Sequence, residues 1–134
     1  MKRILVVATL ISLVACSSHK DKNTVQAKKE NLVEIKNGQF TEWYPGKKQI
    51  KFRGMQDSKS RRNGKWTFYA ENGTELSVTM FENGEKEGFT MVKYPNGYMH
   101  YTGEYHNDKK VGVWTTYDNK GKKVSTVDFG FPEE

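Results

Sequence analysis

Beyond residue 31 the chain is written in short alternations of apolar and polar residues, and no stretch shows the 3.6-residue period of a helix. Met99, Tyr101 and Tyr105 alternate with His100, Thr102, Glu104 and His106, so period two sends the two sets to opposite faces of a strand. Leu76, Val78 and Met80 alternate in the same way, as do Ile50 and Phe52. The segments Gly64–Ala70 and Glu75–Phe81 are rich in β-branched and aromatic residues and flank Asn72-Gly73. That dipeptide reads as a type I′ hairpin turn, whose two central residues both need positive φ. Asn83-Gly84, Asn107-Asp108 and Asn63-Gly64 read as turns between hairpins, and Asn37-Gly38 after Leu32–Lys36 predicts one extra capping strand.

The pattern also recurs. Gly38, Gly64, Gly88 and Gly112 each open a unit, at spacings of 26, 24 and 24. Two positions later stand Phe40, Trp66, Thr90 and Trp114, and further on Tyr44, Tyr69, Tyr94 and Tyr117. A turn follows each tyrosine, at Pro45-Gly46, Asn72-Gly73, Asn96-Gly97 and Lys120-Gly121. A repeat of this length marks an array of supersecondary units that pack on their neighbours. The predicted fold is all-β: an antiparallel β-hairpin repeat meander of about eight or nine strands, forming a single elongated twisted sheet over residues 32–134. One face is expected to be aromatic and apolar and the other polar. The apolar face must curl over its own rings or be covered by a partner.

The N-terminus changes the setting. Lys2 and Arg3 precede an apolar run from Ile4 to Val14, too short for a bilayer span of about 20 residues and suited to a secretory signal. The run ends in Leu13-Val14-Ala15-Cys16, which resembles the bacterial lipobox, and Cys16 is the only cysteine. The resemblance implies cleavage before Cys16, a diacylglycerol (and commonly palmitate) on that residue, and a cell-envelope lipoprotein, in the outer membrane if the host has one. Two acyl chains suffice for stable anchoring. The alternative is an ordinary signal peptide with an incidental cysteine. Residues 1–15 are thus the signal, and residues 16–31 a polar, lysine-bearing tether unable to bury enough surface to fold.

Loss of the signal takes the net charge from +6 to +4, a mild excess that, with export, excludes nucleic acid as the expected partner. A lipidated Cys16 leaves the folded part without a thiol, which excludes disulfides and thiolate catalysis.

The units resemble MORN repeats of the bacterial variant kind, in the run Tyr94-Pro95-Asn96-Gly97 through Gly112-Val113-Trp114 and in Asn83-Gly84-Glu85-Lys86-Glu87-Gly88. The likeness covers about residues 31–129. It departs at Ser58–Arg62, an insertion, and at Thr90, where an aromatic residue is expected. The family implies a non-catalytic binding or scaffold module. Its bacterial members are often labelled antitoxin-like, which export leaves room for only as an envelope-located immunity role.

Catalytic chemistry is not indicated. His100 and His106 are six residues apart, about 20 Å along a strand, too far to share a metal ion. No metal, cofactor or catalytic residue is assigned. Two features are suited to binding. The first is the aromatic face, with Trp66, Trp114, Tyr94, Tyr101 and Tyr105 as the ring candidates, beside Phe40 and Tyr44 and with Trp43 a weaker member. Against this stands the plain reading that the rings are core. The second is basic turns at Lys47-Lys48, Arg61-Arg62, Lys109-Lys110 and Lys122-Lys123, expected to gather into rims that meet anionic lipid or polysaccharide. Solvated turns are the alternative. The expected partners are the membrane, through the anchor, and an envelope protein held on the aromatic face or the free terminal strand.

Overall fold

The computed structural model describes residues 30–133. Cys16, the signal and most of the tether lie outside the described residues.

Nine strands follow one another: β1 (Val33–Lys36), β2 (Gln39–Trp43), β3 (Ile50–Gln56), β4 (Arg62–Tyr69), β5 (Glu75–Glu82), β6 (Glu85–Lys93), β7 (Met99–His106), β8 (Lys109–Tyr117) and β9 (Lys123–Asp128). They pair antiparallel in the order β1 to β9, forming one open sheet whose free edges are β1 and β9. The all-β hairpin meander read from the alternation is the observed fold, and the extra first strand is β1.

The connections alternate between the two ends of the strands, and each end has its own turn chemistry. At one end lie Asn37-Gly38, Asn83-Gly84 and Asn107-Asp108, with both residues of each pair at positive φ, as type I′ turns require. The longer loop 57–61 shares this end. Its Asp57 carboxylate accepts the backbone N–H of Lys59 (2.8 Å) and of Arg61 (2.9 Å), and the Arg61 guanidinium. The other end carries wider loops. At Asn72-Gly73 only the glycine has positive φ, which corrects the type I′ expectation. Gly73 N–H donates to Ala70 O (2.9 Å) and Ala70 N–H to Thr74 O (2.8 Å), a three-residue loop closing on a left-handed glycine. Asn72 Oδ1 accepts the Thr74 N–H instead of lending its backbone to the turn. The loops at Asn96-Gly97 and Lys120-Gly121 repeat this bonding.

Asn63-Gly64 is not a turn: it lies inside β4. Gly64, Gly88 and Gly112 all sit within strands at positive φ, beside breaks in register between β3 and β4, β5 and β6, and β7 and β8. They are bulge glycines, which let one strand carry extra residues against its neighbour.

Residues directly opposite across a ladder share a face. One row runs Ile35, Phe40, Gly54, then Trp66, Thr79, Thr90, Gly103, then Trp114, Val127. The other face carries Thr41, Arg53, Thr67, Val78, Met91, Thr102, Thr115 and Thr126 in one row. Val78 and Met80 pair with Thr67 and Lys65, so Leu76, Val78 and Met80 lie opposite the tryptophans. The expected division into one apolar and one polar face is therefore corrected: both faces bury apolar side chains. The buried set is Trp66, Phe81 and Trp114 on the indole face and Val78 and Val111 on the other.

Each buried indole is made possible by a glycine on the preceding strand. A Cβ at Gly54 would overlap the Trp66 ring, and one at Gly103 the Trp114 ring. Each ring lies flat on bare backbone and donates its Nε1–H to a carbonyl: Met55 O at 2.9 Å for Trp66, Glu104 O at 3.1 Å for Trp114. Thr90, where the repeat expected an aromatic, faces Thr79 and binds its hydroxyl at 2.9 Å.

Candidate functional site

The sequence candidates fall into different places. Trp66 and Trp114 are 5 % exposed and have their indole N–H groups bonded, so they are core rather than a stacking platform. Tyr94 sits at the wide-loop end, stacked on His100 (4.3 Å between centroids), and its hydroxyl donates to Tyr117 O at 3.0 Å. Tyr44 does the same to Tyr69 O at 2.9 Å. Trp43 leaves its indole N–H buried with no partner among the described residues.

The basic pairs divide between the two ends of the strands. Lys47-Lys48 and Lys122-Lys123 lie at the wide-loop end, and Arg61-Arg62 and Lys109-Lys110 at the other. Within the last two pairs, neighbours diverge. Arg61 is held by Asp57 and by Asn83 Oδ1 (3.1 Å). Arg62 lies over the rings of Trp66 (4.6 Å) and Phe81 (5.2 Å). Lys110 lies over Trp114 (4.3 Å) and Phe129 (5.6 Å), while Lys109 pairs with His106 and points to the other face.

What the structure does assemble is a row of alternating cations and rings on the indole face. It runs Arg62 on β4, Phe81 on β5, Lys86 on β6, Tyr105 on β7, Lys110 on β8 and Phe129 just past β9. Phe81 pairs directly with Lys86, and Tyr105 with Lys110. Each cation reaches the ring of the following strand: Arg62 to Phe81, Lys86 to Tyr105 at 4.7 Å, Lys110 to Phe129. The repeat is strict, since Arg62, Lys86 and Lys110 recur every 24 residues, as do Phe81, Tyr105 and Phe129. Tyr101 and Tyr105 flank Trp114 at 5.7 and 5.0 Å and widen the aromatic surface at the β7–β8 end. Burial raises the phenol pKa of both tyrosines, so they are neutral hydrogen-bonding rings at physiological pH.

The electrostatics of this row are one-sided. Among the described residues, Arg62, Lys86 and Lys110 take part in no ion pair, whereas Lys36, Lys47, Lys51, Arg61 and Lys65 each have a carboxylate partner. The carboxylates nearest in sequence point the other way. Glu82 and Glu85 pair with each other, and Glu104 pairs with Phe89 and Val111, all on the opposite face. Glu87 accepts the Asn107 N–H (2.9 Å) and contacts His106 Nδ1 (2.9 Å), and those contacts hold its carboxyl below the usual range. Asp108, in the turn, accepts the Lys86 backbone N–H at 2.9 Å. A ring beneath each cation stabilises the charge by about 0.5–1 kcal/mol at an exposed site and fixes its position. The aliphatic stems in turn cover ring surface.

Arg62, Lys110 and Tyr105 are candidates from the sequence but only as separate features, and Lys86, Phe81 and Phe129 are not among them. The 24-residue recurrence of a cation, with a ring 19 residues beyond it, was the available signal. Among the described residues no group of three metal-binding side chains occurs, and no helix is long and apolar enough to cross a membrane. No protein-family model matches the chain, and no curated protein matches its sequence.

Proposed function

We propose that this protein is a non-catalytic binding module of the MORN-repeat kind, anchored in the cell envelope through a lipidated Cys16, which holds an acidic segment of an envelope protein along the cation–aromatic row. The observation that carries this reading is the row itself: three cations, each fixed over a ring and without a carboxylate partner among the described residues, at a constant interval on one face. Such a surface offers apolar contact and directed positive charge together, the combination that gives a protein interface both affinity and orientation. The anchor rests on the sequence alone, on Leu13-Val14-Ala15-Cys16.

The test is a cross-linked pull-down of the intact protein from whole cells, beside Cys16→Ala and Lys86→Glu variants. The reading expects one protein in near-equal amount, lost with Lys86→Glu and depleted with Cys16→Ala. Recovery of only lipid or polysaccharide, released by salt, would replace the protein partner with an anionic polymer or headgroup.

A further inference from the structure

We infer that the cation–aromatic row takes an acidic polyproline II segment carrying a carboxylate at every third residue, a specification that rests on the binding reading above. Arg62, Lys86 and Lys110 stand on alternate strands, so successive cations are two strand spacings apart, about 9.6 Å. A polyproline II helix has three residues per turn and rises about 3.1 Å per residue, so every third side chain points the same way at intervals of about 9.3 Å. Over the two intervals from Arg62 to Lys110 the mismatch is under about 1 Å. Other spacings fail twice: carboxylates two or four residues apart differ in rise by about 3 Å and leave the binding face by about 120° of rotation.

The ring between the last two cations supplies the second half of the match. Phe81 lies between Arg62 and Lys86 in the row, and Tyr105 between Lys86 and Lys110. Phe81 is buried and seats Arg62, whereas Tyr105 is partly exposed, so the two residues between the carboxylates on Lys86 and Lys110 meet its ring, and prolines at those positions suit an aromatic surface. The segment lies across the strands, so it uses side chains and leaves the sheet's own hydrogen bonds intact. Glu82, Glu85 and Glu104 are on the reverse face, and Asp108, which accepts the Lys86 backbone N–H, is an acid beside the row.

Four nine-residue peptides of identical composition, three Glu and six Pro, isolate spacing from net charge. Their acids are at every third position (EPPEPPEPP), every fourth (EPPPEPPPE), every second (PEPEPEPPP) or adjacent (PPPEEEPPP). Fluorescence anisotropy of labelled peptides with the full chain is expected to rank the every-third peptide about tenfold tighter than the others, one well-placed charged contact being worth that much. Lys86→Gln is expected to remove that advantage and Lys109→Gln to keep it, with Lys110→Gln standing in if circular dichroism finds Lys86→Gln unfolded. Equal affinity for all four peptides, or tighter binding of another spacing, overturns the inference. A pull-down partner that still depends on Lys86 would then leave the broader binding reading in place.

Discussion

The two tryptophan units and the threonine unit between them occupy the same row of the sheet and solve one packing problem in opposite ways. In the units around Trp66 and Trp114, the preceding strand gives up its side chain at Gly54 or Gly103, and an indole lies in the space. In the central unit the preceding strand keeps Thr79, and the matching position shrinks to Thr90, 2 % exposed and joined to Thr79 by its hydroxyl. Gly–Trp and Thr–Thr are alternative fillings of the same row. A single-layered sheet has no second layer to press its rings inward, so a large side chain is buried only if the backbone beside it is bare. The tyrosine braces follow the same alternation. Tyr44 and Tyr94 bind the carbonyl of the next repeat's tyrosine, whereas Tyr69, between them, has no such bond among the described residues.

The largest expected effect comes from denying an indole its glycine. Gly103→Val should cost about 3–5 kcal/mol in urea denaturation, comparable to deleting the ring with Trp114→Ala. The comparison is sharpened by transplanting the central solution. Gly103→Thr combined with Trp114→Thr should lose clearly less stability than the sum of the two single changes. Strict additivity would mean that glycine and ring are not coupled. Next in size, Thr90→Val should cost about 1–2 kcal/mol, because it strands the Thr79 hydroxyl and gives up the 3.1 Å bond from Thr90 to Val78 O. Smaller still, Tyr44→Phe and Tyr94→Phe should each cost about 1 kcal/mol and Tyr69→Phe close to nothing, which chemical denaturation of the three variants would resolve.

The pH dependence is the weakest effect and has two limbs. Glu34 (held down chiefly by the Lys47 ammonium), Asp57 (chiefly by the Arg61 backbone N–H) and Glu87 (chiefly by the Asn107 N–H) have lowered folded-state pKa values. Their contribution is present above the ordinary carboxylate pKa and is lost as pH falls through the lower folded values. Tyr101 and Tyr105 have raised values, so stability should fall as pH rises above about 10. A melting temperature followed from pH 2 to 11 should decline at both extremes and be flat between.

Much of this was legible in the chain. The alternation and turn residues gave the meander and β1, and the 24-residue spacing placed Thr90 in the tryptophan row. Turn type was not legible at Asn72-Gly73, because the same dipeptide suits a type I′ turn or the end of a three-residue loop, and loop length decides. The faces of Leu76, Val78 and Met80 escaped because the register shift at Phe68/Tyr69 sets one residue of β4 against two of β5 and breaks the count by which alternation is carried from strand to strand. The cation–aromatic row escaped for the same reason. Arg62 and Phe81 are 19 residues apart and meet only through the observed register.

The most direct test of the binding surface uses two adjacent lysines on opposite faces. With the partner recovered from cells, affinity is measured for Lys110→Glu and for Lys109→Glu, which change net charge identically. The account predicts a loss of about tenfold or more for Lys110→Glu and less than about twofold for Lys109→Glu. Equal losses would mean that net charge alone attracts the partner, and no loss at Lys110 would remove the cation–aromatic row from the binding surface.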